Sequence, residues 1–223
     1  MPVSRSLGSL AIGYRPVPIV AIALGAILAT TSGCMTLGGI AYLIAPNDVP
    51  AECNALSGQH VAVTCRPIIE LAFSDAGSSR ELSRLTAAAI RRNVRRCRVV
   101  DDQEVARWLD ENEWVDCPTL GKAVDADIVV GIDLEEFRLH EGSTLLKGRA
   151  RVRVRAYEAE TGKVVFDKRL DEFVYPAEGA IPVSDMPETR FREAFIELLS
   201  GRIARCFHAY ESRNHFGEEN LPL

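Results

Sequence analysis

Between Arg149 and Ala156 the chain reads Arg-Ala-Arg-Val-Arg-Val-Arg-Ala. Charged and apolar side chains alternate without a break. Only an extended strand repeats its side-chain direction every two residues; a helix would scatter these guanidiniums around its whole circumference. The segment Lys147 to Tyr157 is therefore expected as a strand. One side carries Ala150, Val152, Val154 and Ala156 into a core, and the other carries Arg149, Arg151, Arg153 and Arg155 away from it. Such a strand needs partners along both edges and an apolar cover over one face.

The flanking sequence supplies both. Asp127 to Leu139 reads as a second long strand, with Ile128, Val130, Ile132 and Leu134 on one face and Val129, Gly131, Asp133 and Glu135 on the other. Glu141-Gly142-Ser143 makes the turn between the two strands. Glu160 to Lys163 makes the next turn, and Val164 to Val174 returns as a hairpin partner. In one register of that hairpin Arg155 faces Asp167 and Arg151 faces Asp171. Upstream, Gln59 to Arg66 forms a short first strand that Pro67 ends. Ser78 and Glu81 have capping-box spacing, ahead of a helix with Leu82, Leu85, Ala89, Ile90 and Val94 in one stripe. Arg84, Arg91, Arg92, Arg95 and Arg96 occupy its other face. Arg98 to Val100 reads as a strand. Asp101 with Glu104 caps a helix through Val105, Trp108 and Leu109, and Thr119 to Val124 adds a further turn. Pro176 to Pro187 is a loop. A last helix then aligns Phe191, Ala194, Phe195, Leu198, Leu199, Ile203, Cys206, Phe207 and Tyr210.

The expected order is β-α-β-α-β-β-β-α, an α+β domain with a small mixed sheet packed by helices. It is assigned to residues 58–212, followed by a polar tail at 213–223. Of the 223 residues, 47% are hydrophobic and 26% charged, which excludes a disordered chain and a polytopic membrane protein. Formal charge is −5, and removing residues 1–33, which hold Arg5 and Arg15 and no acid, deepens it to −7. An acidic remainder argues against a nucleic-acid partner, because phosphate contacts need clustered Lys and Arg.

The amino terminus reads as an export segment. Arg5 and Arg15 precede Val17 to Thr31, an uncharged and mostly apolar run. Ser32-Gly33-Cys34 follows and resembles the lipobox of bacterial lipoproteins, where cleavage before the cysteine leaves a thiol that takes a diacylglycerol. On that reading residues 1–33 are the signal peptide, Cys34 carries the lipid, and residues 34–57 form a membrane-proximal tether. Thr31 departs from the aliphatic residue usual at its position. Two alternatives remain open. Val17 to Ala45 carries no charge and is long enough to cross a bilayer as an uncleaved anchor. A signal cleaved nearby would instead release a secreted chain. All three readings export the domain. Met35 is not an inner-membrane retention residue of the Asp type, so an outer-membrane site facing the periplasm is open to the lipidated form.

Beyond Cys34 stand Cys53, Cys65, Cys97, Cys117 and Cys206. An exported chain can oxidise these, and an odd number leaves at least one thiol over. Cys97 and Cys117 flank a strand–helix unit and could meet; Cys206 reads as a buried thiol on a helix face. No cysteine or histidine spacing suggests zinc, no HExxH, GxSxG or GxxxxGK[ST] pattern occurs, and no cofactor is implied. His208 and His215 form a weak metal pair at best. Asp125 and Asp127 read as solvated acids at a strand entrance, and Asp101 as a cap rather than a catalytic carboxylate. The candidates that remain are for partner binding. Arg149, Arg151, Arg153 and Arg155 could hold an anionic ligand or an acidic protein, or could be neutralised by cross-strand acids. Trp114 could contribute an exposed aromatic anchor, whereas Trp108 shares the helix stripe and reads as core.

Val61-Ala62-Val63, Glu81-Leu82 and Arg98-Val99-Val100-Asp101 stand in this order. They are followed by Gly121-Lys122-Ala123, by Ala126 to Gly131, and by Ala156-Tyr157 through Thr161-Gly162-Lys163-Val164-Val165. As a set they resemble a superfamily of envelope lipoproteins. It contains the curli-export pore lipoprotein, the lipoprotein activators of penicillin-binding proteins and the TolB amino-terminal domain. The resemblance covers roughly residues 59–170 and implies a fold and a compartment rather than an activity. Where that superfamily often carries Pro-Phe after the first strand, this chain reads Thr64-Cys65-Arg66-Pro67. The sequence has no evident membrane-spanning hairpins of an export pore and no Pro/Gln-rich tether. The function expected is thus a non-catalytic binding or assembly module for another envelope component. A curli-type export-channel subunit is the alternative, and an enzyme acting on envelope polymer a more distant one.

Overall fold

The alternating arginine segment is realised as the strand around which the sheet is built. The computed structural model describes residues 48–67, 76–112 and 116–211. Among these, the strands are β1 (Asp48–Val49), β2 (His60–Pro67), β3 (Arg98–Val99), β4 (Ile128–Glu141), β5 (Leu145–Glu158), β6 (Val164–Arg169), β7 (Phe173–Tyr175), β8 (Ile181–Pro182) and β9 (Tyr210–Glu211). The helices are α1 (Ala76–Asn93), α2 (Asp102–Glu111), α3 (Cys117–Ala123) and α4 (Glu188–Ala204). The main sheet runs β3-β2-β4-β5-β6, with β7 and β8 also on β5. β2 is parallel to β3 and β4; β4, β5 and β6 are antiparallel. This is the mixed α+β sheet expected, with a separate two-stranded β1–β9 pair added.

The even side chains of β5 face a core shared with α1 and α4. Ala150, Val152, Val154 and Ala156 meet Phe191, Phe195, Leu199 and Ile203 from α4, and Leu82 and Ile90 from α1. Phe195 sits at its centre, stacked on Phe173 at 5.5 Å and tilted against Phe137 at the same centroid distance. Helices α1 and α4 pack against each other on this face, α1 over β2 and α4 over β5. Helix α4 buries Ile196, Ser200 and Ala204 as well as Phe191, Phe195, Leu199 and Ile203 of the predicted stripe, so its polarity alone does not reveal its full buried surface. A smaller core on the opposite sheet face joins Ala62 and Val129, paired across β2 and β4, to Val105, Leu120 and Val124. Helices α2 and α3 cover only this part of the second face, with Trp108 packed at its edge.

Several expectations are corrected. Helix α1 begins at Ala76, so Ser78 lies within its first turn, and Glu81 bonds Arg84 at 2.6 and 2.8 Å. Helix α4 ends at Ala204 with Arg205 as its C-cap, so Cys206, Phe207 and Tyr210 lie beyond the helix rather than on it. The return strand breaks between Arg169 and Phe173, and the loop after it contains β8. Within residues 34–57, expected as a tether, Leu56 is completely buried and Cys53 is 7% exposed. Cys97 packs against the first core and Cys117 against the second, on opposite faces of the sheet, and the five described cysteines are free. Cys34, Trp114, His215 and the apolar run 17–45 lie outside the described residues.

A candidate partner surface on the open sheet face

Beyond α2 and α3 the second face of the sheet is covered by no described helix. Here the odd residues of β5 meet carboxylates delivered by β4 and β6. Strand pairing explains which ones. Asp133 of β4 is opposite Arg153, and Asp167 of β6 is opposite Arg155, the partner expected from the turn length. The side chains then pair diagonally. Arg153 reaches Asp167 through Nε and Nη2 at 2.7 and 2.6 Å, a two-pronged geometry that fixes the guanidinium plane. Arg155 donates instead to Asp133, which also accepts from Arg66 of β2 at 3.0 Å. One carboxylate thus ties three strands together.

A β-bulge continues the lattice. The register of β4 against β5 shifts between Leu134 and Glu136, so Glu135 is an extra residue. Such an insertion turns consecutive side chains toward one face. Glu135 accepts from Arg169 at 2.7 Å, and Glu136 lies 3.1 Å from Arg151. The same shift resets the parity of β4, so that Phe137 and Leu139 enter the core after Ile132 and Leu134. Arg149 sits between Glu141 and Glu172, at 3.5 and 3.6 Å. Asp171, the expected partner of Arg151, gives way to Glu172 at 3.8 Å because the strand has already broken. Among the described residues, the ion pairs on this face join eight cationic side chains to six carboxylates. The surface is a near-neutral mosaic with a small positive excess.

The electrostatics follow from these contacts. The Arg153 hydrogen bonds hold the Asp167 carboxyl below its ordinary value, and the same contacts raise Arg153. Desolvation acts to lower Arg155, but hydrogen bonding and charge from Asp133 outweigh it and the group is raised. Asp133, Glu135 and Glu136 are only 20–22% exposed, while Arg151 is 45% and Arg153 41% exposed. These three acids are recessed, whereas Asp167, Glu172 and Glu141 are 37–48% exposed and share the outer layer with the guanidiniums.

Other polar groups are structural. Asp127 accepts the His60 N–H at 2.7 Å and joins the entrances of β2 and β4; His60 Nδ1 meets the Asp125 carbonyl at 2.7 Å. Asp101 caps α2 by accepting from the Gln103 N–H, and Asp116 caps α3 by accepting from Thr119. A groove of about 800 Å³ lies between α1 and α2, lined by Thr64, Arg80, Arg84, Asp102, Arg107 and Asp110. Arg80 and Asp110 pair across its rim at 3.0 Å. No group of three or more His, Cys, Asp or Glu among the described residues could hold a metal ion, and no described helix is long and apolar enough to cross a membrane.

No protein-family model and no curated protein matches the chain. Solved structures do. A point-mutant PelC dodecamer from Paraburkholderia phytofirmans is similar at TM-score 0.45 and 11% identity, over 72% of this chain and 96% of that one. Lipoprotein GNA1162 from Neisseria meningitidis is similar at TM-score 0.42 and 13% identity, over 65% and 97%. The LpoB C-terminal domain from Salmonella enterica is similar at TM-score 0.29 and 9% identity, over 52% and 83%. Lipoproteins, the class that the motif resemblance names, are thus among the solved structures similar to this chain.

Proposed function

We propose that this chain is a membrane-anchored bacterial envelope lipoprotein, lipidated at Cys34, whose domain is a non-catalytic module that docks another envelope protein through the open arginine face. The observation that carries the docking surface is the uncovered half of the sheet. A sheet face that is neither apolar nor covered presents a flat array, here of guanidiniums already oriented by neighbouring acids. Each of Arg149, Arg151, Arg153 and Arg155 has a carboxylate partner within 4 Å. A polyanion such as nucleic acid or lipopolysaccharide would have to displace those acids. A protein surface with alternating charges can add contacts without displacing them, and such complementarity sets register and partner choice more than raw affinity. Trp114, just past α2, is a second candidate contact.

The test uses the full chain in its native membrane. A photo-crosslinking residue is placed singly at Arg149, Arg151, Arg153 and Arg155, with Arg91 on α1 as control. The docking reading expects a discrete heavier adduct from the face and none from the control. Absence of an adduct at all four face positions rejects it. Labelling with a radioactive fatty acid checks the anchor separately: Cys34→Ala should lose the label. Persistence of an unlabelled, uncleaved wild-type chain would favour the helix-17–45 anchor.

A further inference from the structure

The first described residues of the chain and the last run antiparallel. In the β1–β9 pair Asp48 is opposite Glu211 and Val49 is opposite Tyr210. Further in along the two segments, where the strand pairing has ended, stand Cys53 and, in the turn after α4, Cys206, whose own N–H donates to the Ile203 carbonyl at 3.2 Å. The backbones do meet there, because the Cys53 N–H donates to the Cys206 carbonyl at 2.9 Å. A single N–H···O=C bond of this length, with ordinary backbone bond lengths on either side, holds the two Cα atoms about 5–6 Å apart. That falls inside the span of about 4.4–6.8 Å that a disulfide bridges. Both side chains turn inward, 7% and 2% exposed, and belong to the same core. Next to them Glu52 pairs with Lys168 at 2.6 Å, which holds the incoming segment against β6.

We propose that Cys53 and Cys206 form an intramolecular disulfide in the exported protein, a clasp that fastens the start of the domain to the turn after α4. The bond rests on the export reading, since a reducing compartment would keep the thiols apart. The chemistry is thiol–disulfide exchange with a dithiol-type oxidase or oxidised glutathione. One thiol loses its proton and attacks the donor's disulfide, expelling a donor thiolate and giving a mixed disulfide. The second then displaces the remaining donor sulfur. The chain is oxidised by two electrons, the donor leaves as two thiols, and the protons lost by the cysteines balance those gained. Burial pushes the Cys206 thiol up to about 11, so in the folded domain its thiolate is scarce at neutral pH. The exchange therefore belongs to the period of folding, before the core closes.

The experiment has two arms. Purified full chain is reduced, unfolded and refolded in a glutathione redox buffer. It is then alkylated with a maleimide under denaturing conditions and digested without reductant. The expected product is a linked peptide pair containing Cys53 and Cys206, separated by dithiothreitol, with Cys65, Cys97 and Cys117 alkylated. Alkylation of both Cys53 and Cys206, or linkage of either to another cysteine, overturns the proposal whatever the compartment. The second arm applies the same mapping to acid-quenched membranes from cells. Linked peptide there supports the clasp in the exported protein. Free thiols in cells beside linked peptide in vitro overturn the physiological bond through its compartment and leave the geometry standing. Both arms read the wild-type chain and need no variant to fold. As a check on consequence, dithiothreitol should lower the melting temperature of the oxidised chain by about 5 °C or more and leave the Cys53→Ser/Cys206→Ser double variant unmoved.

Discussion

Gly148 occupies a core position of β5 where any side chain would strike Phe195. A Cβ built there lies 2.5 Å from Cε2 and 2.8 Å from Cγ of that ring. The ring is packed against Phe137, Phe173 and Phe191 and has no room to retreat. Gly148→Ala should therefore destabilise by about 1–3 kcal/mol through overpacking, read as a lower urea midpoint. On the other face Asp133 is the shared acceptor of Arg66 and Arg155, and the Arg155 Nε is already buried with no hydrogen-bond partner. Asp133→Asn should cost about 1.5–3 kcal/mol, the range for hydrogen bonds to charged groups. Asp167→Asn should cost less, because Arg153 keeps water. Acid dependence follows from lowered carboxyls. Hydrogen bonds from Arg153 and Arg84 hold Asp167 and Glu81 below their ordinary 3.8 and 4.5. The folded state thus binds these protons more weakly than the unfolded state. Their stabilisation is complete above those ordinary values and is lost as pH falls through the lower folded ones. The urea midpoint should begin to fall near pH 4.5, and Asp167→Asn should remove part of the slope.

At the scale of elements, α2 tests how far local capping matters. It is short, from Asp102 to Glu111, with one buried residue, Val105, and its N-cap is the Asp101 carboxylate. A helix this short draws little from propagation, so the cap is a large share of its stability. Asp101→Ala should cost about 1 kcal/mol, and amide exchange should quicken in α2 while α4 stays protected. The capping aspartate and the apolar stripe of α1 are both visible in the sequence because caps and stripes are local. The bulge at Glu135 is not. Strict alternation carried from Ile128 would put Phe137 on the charged face. The extra residue reverses the parity and also aims Glu135 and Glu136 at the arginines.

For the whole molecule the assembly state separates the docking reading from an export channel. Light scattering on the detergent-extracted chain should give a monomer or small oligomer. A closed ring of many subunits would favour the channel. Adduct yield at the arginine face should fall as ionic strength rises through about 0.15–1 M, where the screening length shrinks from roughly 8 to 3 Å. A face whose adducts resist salt would point to apolar contacts elsewhere.

What the sequence determined is the set of features encoded by short-range pattern. Arg149 to Ala156 could only be a one-sided strand, Leu82 to Val94 only an amphipathic helix, and the α+β class followed from their order. Arginines 149, 151, 153 and 155 were legible as one row because period two is local. Their partners were not, because a partner depends on register, on where β6 breaks and on one bulged residue in another strand. Arg155 is opposite Asp167 yet pairs with Asp133, a choice made only when three strands lie side by side. The two-sided burial of α4 and the meeting of Cys53 with Cys206 were hidden for the same reason. Both arise from contacts between segments far apart in the chain, and side-chain polarity along one segment carries no record of what a distant segment will bring against it.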